Sequence, residues 1–446
     1  MISRIGWMTL ILAVVFLSAG ARAESATINA ANCLLSSVQS AVNSAKDGDT
    51  VHIPGGNCAW SSPVTIVNKA ITLKGSGLFG IDASYNDVGT WPLTITLAGD
   101  TGVSISGQVG QTIRVTGIQF TGQSGGYWGP GGDSGAITVR NSNRSNSWRI
   151  DNCKFSFADL ASSAMHIKYG YGVIDHCYFT ASVCDGLFVR ISRYGPSGVG
   201  AESFADPVGF GTSNFVFFEN NVFRRNCTIP NSSTEAIDTQ GGGRWVARYC
   251  YFYDSFLFAH GSESGNPERG SYAIEIYNNT FYWHIPDDRY FTSFFLRGGT
   301  ALVYSNSFTN LQAICRTWVR RADETMGDFG RCDGSQPWDG NTSPVGYPCL
   351  DQVGRGRASG SSLSAVQPQE SYPARFWSNI LNNVTTPLYH INPSYVVEGR
   401  DYFYSTDASA RLPGYTPYTY PHPLTSAGSP TAVAPPQNLH IVEIVQ

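Results

Sequence analysis

A short phrase with alternating apolar and polar residues recurs along the middle of the chain. Each copy ends in Asn or Cys, one further residue and a closing Phe. The copies are WRIDNCKF at 148–155, GVIDHCYF at 172–179, VFFENNVF at 216–223, WVARYCYF at 245–252, IEIYNNTF at 274–281 and LVYSNSF at 302–308. The closing Phe recurs after 24, 44, 29, 29 and 27 residues, which is a spacing typical of stacked repeats. The 44-residue step holds one long coil or two short ones.

Alignment of the phrases places one Asn or Cys of every copy in the same column. Its members are Cys153, Cys177, Asn221, Cys250, Asn279 and Asn306. In stacked parallel strands one position recurs about every 4.8 Å, so Asn amides can hydrogen-bond from coil to coil, and Cys is a small side chain that buries easily. The column resembles the asparagine ladder of right-handed parallel β-helices. It therefore predicts an all-β fold, a right-handed parallel β-helix solenoid.

The two ends of the chain differ from the repeats. Residues 1–23 carry Arg4, an apolar run and a closing A-x-A pattern, which predicts a secretory signal peptide. The run is too short for a membrane-spanning helix of about 20 residues. Apolar residues at helical spacing follow and predict an amphipathic cap helix over the open end of the stack; they are Leu34, Leu35, Val38, Ala41, Val42 and Ala45.

The period also divides the rest of the chain. We predict the β-helix over 24–411, with an excursion over 317–372 where the period is lost and Gly, Asp and Arg are dense. Residues 412–446 form a Pro-rich tail. This tail either leads as a linker into a further β-module or packs on the last coil.

Cysteine use and charge restrict the cellular compartment and the partners. Ten cysteines suit an oxidising compartment, so we expect a secreted or periplasmic protein, and a monomer. We predict the disulfides Cys33–Cys58 and Cys332–Cys349, and free buried thiols at the Cys positions of the ladder. The formal charge is −4 and no basic run occurs, which argues against a nucleic-acid partner.

An acidic column precedes the ladder by two residues. It contains Asp151, Asp175 and Glu219, and continues as Arg248, Tyr277 and Tyr304. The residues just before these are apolar, so the column is predicted to point outward. Carboxylates one strand spacing apart oppose each other's ionisation. We therefore expect a bound cation such as Ca²⁺ at Asp151, Asp175 and Glu219, a neighbouring Arg, or a raised pKa; the alternative is a solvated acidic edge.

A mostly basic column follows the closing aromatic residues. Alternation predicts that Lys168 points outward with His166, and Arg190 with Phe188. Such a stripe on a rigid scaffold suits a long anionic polymer, although surface charge that keeps an edge soluble is the alternative. The column consists of Lys168, Arg190, Asp238 with Gln240, His260, Arg297 and Arg316.

Titratable residues are densest over 234–261. Glu235 and Asp238 lie about one coil before His260-Gly261, and Arg248 and Arg269 occur in the neighbouring coils. Glu-x-Ile followed by His-Gly resembles the β-helical polysaccharide lyases of the chondroitinase B and alginate lyase family. That resemblance implies a Glu that helps to hold calcium, a Lys base and an Arg before His-Gly; Gln240 and Ala259 stand at the last two positions here.

Polygalacturonases provide a second comparison. The spacing from Asp238 to His260-Gly261 is similar to one coil between their acids and their Gly-His-Gly, although their paired Asp-Asp is absent. Glu235, Asp238 and Glu219 are the carboxyls that could serve hydrolysis, which requires two.

The reaction predicted from these residues is elimination on an acidic polysaccharide. A uronate polymer needs a base for its C5 proton and a cation or Arg that neutralises its carboxylate. The alternatives are a glycoside hydrolase of polygalacturonase or tailspike type and a non-enzymatic surface or matrix protein that binds polysaccharide. The predicted catalytic residues are His260, Asp238 and Glu235, with Lys168 and Arg190 as a second base and neutraliser, and the predicted substrate-binding residues are Arg248, Arg269, Arg297 and Arg316.

Overall fold

Three faces of parallel strands enclose one apolar core, and this is the parallel β-helix that the repeat predicts. The first face is a 12-stranded sheet, and the second and third faces together form one 18-stranded sheet. The computed structural model describes residues 25–99, 101–107, 112–122, 135–141, 146–157, 163–182, 186–192, 199–226, 234–262, 268–284, 292–336, 338–339, 347–358 and 368–426. The predicted signal peptide lies outside these residues. Successive coils contribute strands to each of these faces, so the chain forms a parallel β-helix.

The first face has twelve strands, which pair in register from coil to coil. They are Thr27–Asn29, Thr50–His52, Thr72–Lys74, Ile113–Thr116, Asn146–Asp151, Tyr171–Asp175, Val216–Glu219, Arg244–Arg248, Ala273–Tyr277, Thr300–Tyr304, Ala374–Trp377 and Tyr402–Ser405.

The second and third faces share two long strands, Ser307–Thr317 and Ile380–His390. The second face also contains Gly56–Trp60, Leu93–Leu97, Gln119–Gly122, Lys154–Phe157, Tyr178–Ala181, Val222–Arg225, Tyr251–Tyr253 and Thr280–Tyr282. The third face also contains Val64–Val67, Thr101–Gly107, Gly135–Asn141, Met165–Lys168, Gly186–Ser192, Thr234–Thr239, Ser255–Ala259 and Thr292–Leu296.

Helices are short and lie outside the stack. The predicted cap helix spans Leu35–Ser44 and buries Val38, Ala41 and Val42 against the first coil. The other helical segments are Ala201–Ala205, Arg320–Asp323, Pro423–Ser426 and the 3₁₀ turns Gly327–Phe329 and Ala408–Ala410. No helix among the described residues is long and apolar enough to cross a membrane.

The predicted ladder forms in the corner between the first and second faces. Asn279 accepts from the backbone N–H of Cys250 at 2.9 Å and donates to the carbonyl of Ala247 at 2.8 Å. Asn306 repeats this pattern one coil later, and Asn379 extends the ladder by a further coil. Cys153, Cys177 and Cys250 occupy ladder positions as free buried thiols, as predicted.

Two further regularities accompany the ladder. The residue before most ladder positions has a left-handed backbone, with φ of 49° at Asn152, 56° at Asn220 and 56° at Asn278, and this turns the chain sharply from one face to the next. The closing Phe rings stack along the core at centroid distances of 4.5 to 5.5 Å. Backbone, amides and rings therefore all repeat with the coil.

The C-terminal segment 415–426, called the strap below, lies along the first face. Arg248 donates to the carbonyls of Tyr418 at 2.6 Å and Thr419 at 2.7 Å. The backbone N–H of His422 donates to Glu219 at 3.0 Å, and Arg149 donates to the carbonyl of Thr425 at 3.2 Å. The strap thus runs back over several coils and covers the acidic column; it does not pack only on the last coil.

The excursion is closed by a disulfide of its own and is bound to the stack by an ionic contact. Cys332–Cys349 is bonded within it, and Cys33–Cys58 bonds the cap region to the first coil, so both predicted disulfides are confirmed. Strands Arg355–Ala358 and Gln369–Ser371 pair antiparallel. Asp351 binds Arg269 of the stack through two hydrogen bonds, at 2.7 and 2.5 Å.

Candidate active site

The third face carries two outward rows that bring most of the predicted catalytic residues together. In the first row the register aligns His166, Arg190, Asp238, Phe258, Phe295 and Arg316 on successive coils. The second row lies two residues further along each strand, where backbone hydrogen bonds continue the pairing; its members are Lys168, Ser192, Gln240, His260, Arg297 and Trp318.

The centre of the site is the Asp238–His260 pair. Nε2 of His260 lies 3.1 Å from Oδ1 of Asp238, and the two side chains are 21% and 1% exposed. Asp238 is buried, and the charge of His260 together with its contact to the carboxylate acts to lower the pKa of Asp238. A buried carboxylate of this kind depends on the positive charges around it.

Glu235 shares this centre and titrates very differently. Burial raises the pKa of Glu235 to about 8, and the charge of Asp238 adds to the rise, whereas His260, Arg297 and Arg190 oppose it. Burial acts to raise the pKa of Asp238 as well, but the charges of His260, Arg190 and Arg297 outweigh it, so that pKa is lowered. At neutral pH Glu235 is therefore mainly a proton donor, whereas Asp238 is a carboxylate.

Arginines flank the centre along the stack. Arg190 lies on the preceding coil, directly beside Asp238 in the strand register. Arg297 lies on the coil that follows the coil of His260. Its guanidinium lies 4.4 Å from the ring centroid of Phe258, 4.6 Å from that of Phe295 and 4.8 Å from that of Trp318. Both arginines act on the titration of Glu235 and Asp238, so positive charge surrounds the acid–base pair.

An alternation of arginines and aromatic rings extends from the centre towards the C-terminal coils. Phe258 meets Phe295 edge-on at 5.2 Å, and Phe295 stacks on Trp318 at 6.2 Å. Arg316 lies 5.7 Å from the ring centroid of Phe295 and 5.2 Å from that of Tyr389. Phe258 itself is buried, whereas Phe295, Trp318 and Tyr389 are at least partly exposed. Exposed rings beside fixed positive charges can stack on sugar rings and bind their carboxylates.

The N-terminal half of the third face is more polar. Lys168 is on the surface there, but it lies two coils before the strand of Asp238 and is not part of the centre. His166 is buried, and its Nε2 lies 2.8 Å from Oγ of Ser192. Phe188 does not point outward with Arg190 as alternation predicts, but lies in the core. The strand that pairs with its own in the next coil has a bulge between Glu235 and Ile237.

Two predicted substrate-binding arginines lie elsewhere. Arg248 belongs to the first face, is fully buried and donates to Glu219, Tyr277 and two strap carbonyls. Arg269 is fully buried against Phe204 and Asp351. Neither can contact a polymer on the third face, and the prediction that they bind substrate is corrected on this ground.

The acidic column has arginine partners. Asp151 accepts from Arg114 at 2.6 Å, Asp175 from Arg149 at 2.8 Å and Glu219 from Arg248 at 2.9 Å, and all three carboxylates are buried. Two of the predicted alternatives are observed: each carboxylate has a neighbouring Arg, and burial also raises the pKa of Glu219. The column is not a solvated edge. These oxygens are already used, so they do not fit a Ca²⁺ ion, and the described residues contain no group of three metal-binding side chains.

The aromatic residues of the site were not predicted from the sequence. In the sequence, Phe258 and Phe295 resemble any other aromatic residue of a strand. Trp318 falls in the predicted excursion over 317–372. Alternation along each strand would have found Phe258 and Phe295, since they lie one residue after the core positions Leu257 and Phe294 and share the register of Asp238.

Comparison with known proteins adds little beyond the fold. The sequence matches no known protein-family profile and no curated protein. Solved structures with similar folds include the catalytic domain of a GH87 α-1,3-glucanase in complex with nigerose (12% identity, TM-score 0.41, 85% of this chain and 67% of that chain) and a PL6 family polysaccharide lyase from Pseudopedobacter saltans (12%, 0.36, 88% and 97%). An alginate lyase from Paenibacillus sp. is similar over 66% of this chain and 91% of its own (16%, 0.28). At this level of similarity the matches carry no argument about function.

Proposed function

We propose that the third face is the active site of an enzyme that cleaves an acidic polysaccharide by β-elimination. The observation that carries this proposal is the centre itself, where protonated Glu235 and ionised Asp238 with His260 lie between Arg190 and Arg297. Unequal environments that push two carboxyl pKa values apart are a sign of divided acid and base roles.

Each group then has a defined part in the elimination. Arg190 and Arg297 bind the uronate carboxylate and stabilise the negative charge that develops there when the C5 proton leaves. The Asp238–His260 pair accepts that proton. The C4–O4 bond breaks as the C4–C5 double bond forms, and Glu235 donates its proton to the departing oxygen.

The substrate is held along the third face. Strands on this face repeat about every 4.8 Å, and the arginine–aromatic side chains from Phe258 to Tyr389 offer rings and positive charges on successive coils. An extended polymer with apolar sugar faces and regularly spaced carboxylates matches this surface. A compact neutral ligand would leave the arginines unused.

Hydrolysis is the second candidate, and the carboxyl pair favours it. A glycoside hydrolase needs one protonated and one ionised carboxyl beside the scissile bond, and Glu235 and Asp238 meet that titration requirement. Elimination is preferred because the two flanking arginines suit a charged sugar better than a neutral one.

A panel of acidic and neutral polysaccharides tests the proposal. Ultraviolet absorbance of the unsaturated uronate, measured beside reducing ends, separates the reactions. Absorbance that rises with reducing ends supports elimination, whereas reducing ends alone indicate hydrolysis. No cleavage of any polymer together with retained binding would contradict an enzymatic role and indicate a binding protein.

A further inference from the structure

The turns that carry His260 and Arg297 are packed against each other and against the excursion. Both residues stand at the ends of third-face strands, and Gly261 and Gly298 follow them directly. A Cβ atom on Gly298 would lie 2.5 Å from the carbonyl oxygen of Asp351, 2.8 Å from Cα of Gly261 and 3.0 Å from the carbonyl oxygen of His260. The three backbone segments are therefore in direct contact, with no room for a side chain.

Asp351 is the residue of the excursion that binds these turns. Its carbonyl accepts from the N–H of Gly299 at 3.0 Å, and its carboxylate accepts from the N–H of Gly270 at 3.0 Å. Ser271 continues the connection, because its N–H donates to the carbonyl of His260 at 2.7 Å. Asp351 thus contacts the segments on both sides of the catalytic turn, Gly270 through its carboxylate and Gly299 through its backbone carbonyl.

The position of Asp351 is itself strongly fixed. The residue is fully buried, with a left-handed φ of 55°, and its carboxylate accepts two hydrogen bonds from Arg269 and one from Gln369 at 2.9 Å. The disulfide at Cys349 closes the excursion two residues earlier. Such a buried carboxylate, held by a charged and a neutral partner, acts as a rigid support.

We propose that Asp351 is a positioning residue that holds His260 against Asp238 and Arg297 over the aromatic rings. The excursion is then the rear wall of the active site, although it contributes no group to the reaction. Only the kinetic test of this inference rests on the proposed function. The placement of His260 can be measured without any substrate.

The kinetic test compares two buried, arginine-paired carboxylates of the excursion. Asp351→Asn loosens the catalytic turns. We expect kcat to fall on the order of tenfold to 100-fold, because small displacements of catalytic groups reduce the rate by such factors, and we expect a smaller change in KM. Asp339→Asn is the matched control: Asp339 pairs with Arg321 at 2.9 Å and accepts from the N–H of Leu350 at 2.8 Å, a hydrogen bond that the amide oxygen of Asn can keep. Equal losses of kcat in both variants, measured on folded protein, would overturn the proposal.

Histidine NMR provides the second readout. The imidazole signal of His260, assigned by its loss in His260→Ala, should shift in Asp351→Asn and stay unchanged in Asp339→Asn. An unshifted signal in Asp351→Asn overturns the inference even if the enzyme is active. If no polysaccharide is cleaved, the proposed function fails, and the shift still decides the role of Asp351.

A second variant covers the case in which Asp351→Asn does not fold. Gln369→Ala removes two hydrogen bonds that hold Asp351, one from the Gln369 amide to the carboxylate at 2.9 Å and one from the N–H of Asp351 to the amide oxygen at 2.8 Å. The variant loosens Asp351 itself, so the His260 signal is expected to shift in the same way. A folded Gln369→Ala protein with an unchanged His260 signal contradicts the proposal.

Discussion

At the residue scale, the unequal titration of Glu235 and Asp238 makes activity depend on pH in a defined direction. Glu235 must be protonated to donate, and its pKa is raised to about 8, so activity should fall as the pH rises above about 8. Asp238 must be ionised, and its lowered pKa keeps it so until the pH is well into the acidic range. A pH–rate profile of kcat/KM on a cleaved polymer checks both limbs.

Replacement of Glu235 tests its role directly. Glu235→Gln should reduce kcat by about 100-fold or more, the range for loss of an acid catalyst, and should abolish the alkaline limb. Glu370→Gln is the matched control, because Glu370 is exposed and belongs to the antiparallel strand pair of the excursion, outside the third face. An alkaline limb that survives in Glu235→Gln would assign it to another group.

The role of Arg297 is binding and charge neutralisation, so its loss should depend on salt. Arg297→Ala is expected to raise KM for an anionic polymer most strongly at low ionic strength, where charges are least screened. Lys74→Ala removes an exposed positive charge from the first face and should change KM little. Equal salt dependence in the wild type and in Arg297→Ala would show that Arg297 does not meet the charged substrate.

Residue positions were predictable only where the repeat sets them. Glu235, Asp238, His260, Arg190 and Arg297 were predicted from coil spacing, and the structure brings them into one centre. Arg248 could not be assigned correctly, because its position in the repeat says nothing of the strap that binds it from a distant part of the chain. Long-range partners leave no periodic signal.

At the element scale, the ladder stabilises the stack through side-chain amides. Asn279→Leu removes its bonds to Cys250 and Ala247 and leaves buried backbone groups unpaired, at a cost of roughly 1–3 kcal/mol each. The melting temperature should fall clearly. Asn57→Leu, on an exposed strand position, should leave it nearly unchanged, and an equal fall in both variants would contradict the ladder's role.

The buried thiols should be chemically inert in the folded protein. Burial raises the pKa of Cys250 to about 12 and raises that of Cys315 further, so little thiolate forms at neutral pH. We expect no alkylation of Cys153, Cys177, Cys250 or Cys315 in the native protein and full alkylation after denaturation, measured by mass spectrometry. Native modification at a ladder cysteine would contradict its burial. Cys184 and Cys227 lie outside the described residues.

At the scale of the whole molecule, the strap makes stability depend on pH. Burial raises the pKa of Glu275 from 4.5 to about 7, although the hydroxyl of Tyr415 donates to it from the strap. A carboxyl whose pKa is higher in the folded state contributes stability that is present below about pH 4.5 and is lost as the pH rises to about 7.

This linkage predicts how Glu275→Gln compares with the wild type. Position 275 of the variant cannot ionise, so the variant does not lose this contribution. Its free energy of unfolding should therefore increase relative to that of the wild type as the pH rises from about 5 to about 8. Thermal melts across this range check the difference, with Glu370→Gln as the control. A difference that stays constant with pH would show that Glu275 is not protonated in the fold.

The fold was predictable as a whole, but the coverings of the stack were not. Repeated Asn, Cys and Phe positions determine the three faces, and apolar spacing determines the cap helix. The strap and the docking of the excursion depend on single contacts such as Arg248 with Tyr418 and Arg269 with Asp351. Each such contact occurs once and does not recur with the coil, so the repeat pattern of the sequence does not predict it.

The constant register of the third face has an evolutionary consequence. Duplication of one coil on the C-terminal side of Arg297 would lengthen the binding face by one strand spacing, about 4.8 Å, and would leave Glu235, Asp238, His260 and Arg297 in place. Loss of a coil would shorten it equally. Descendants of this chain could therefore adapt to longer or shorter polymers by changing the number of coils, without any change in their catalytic residues.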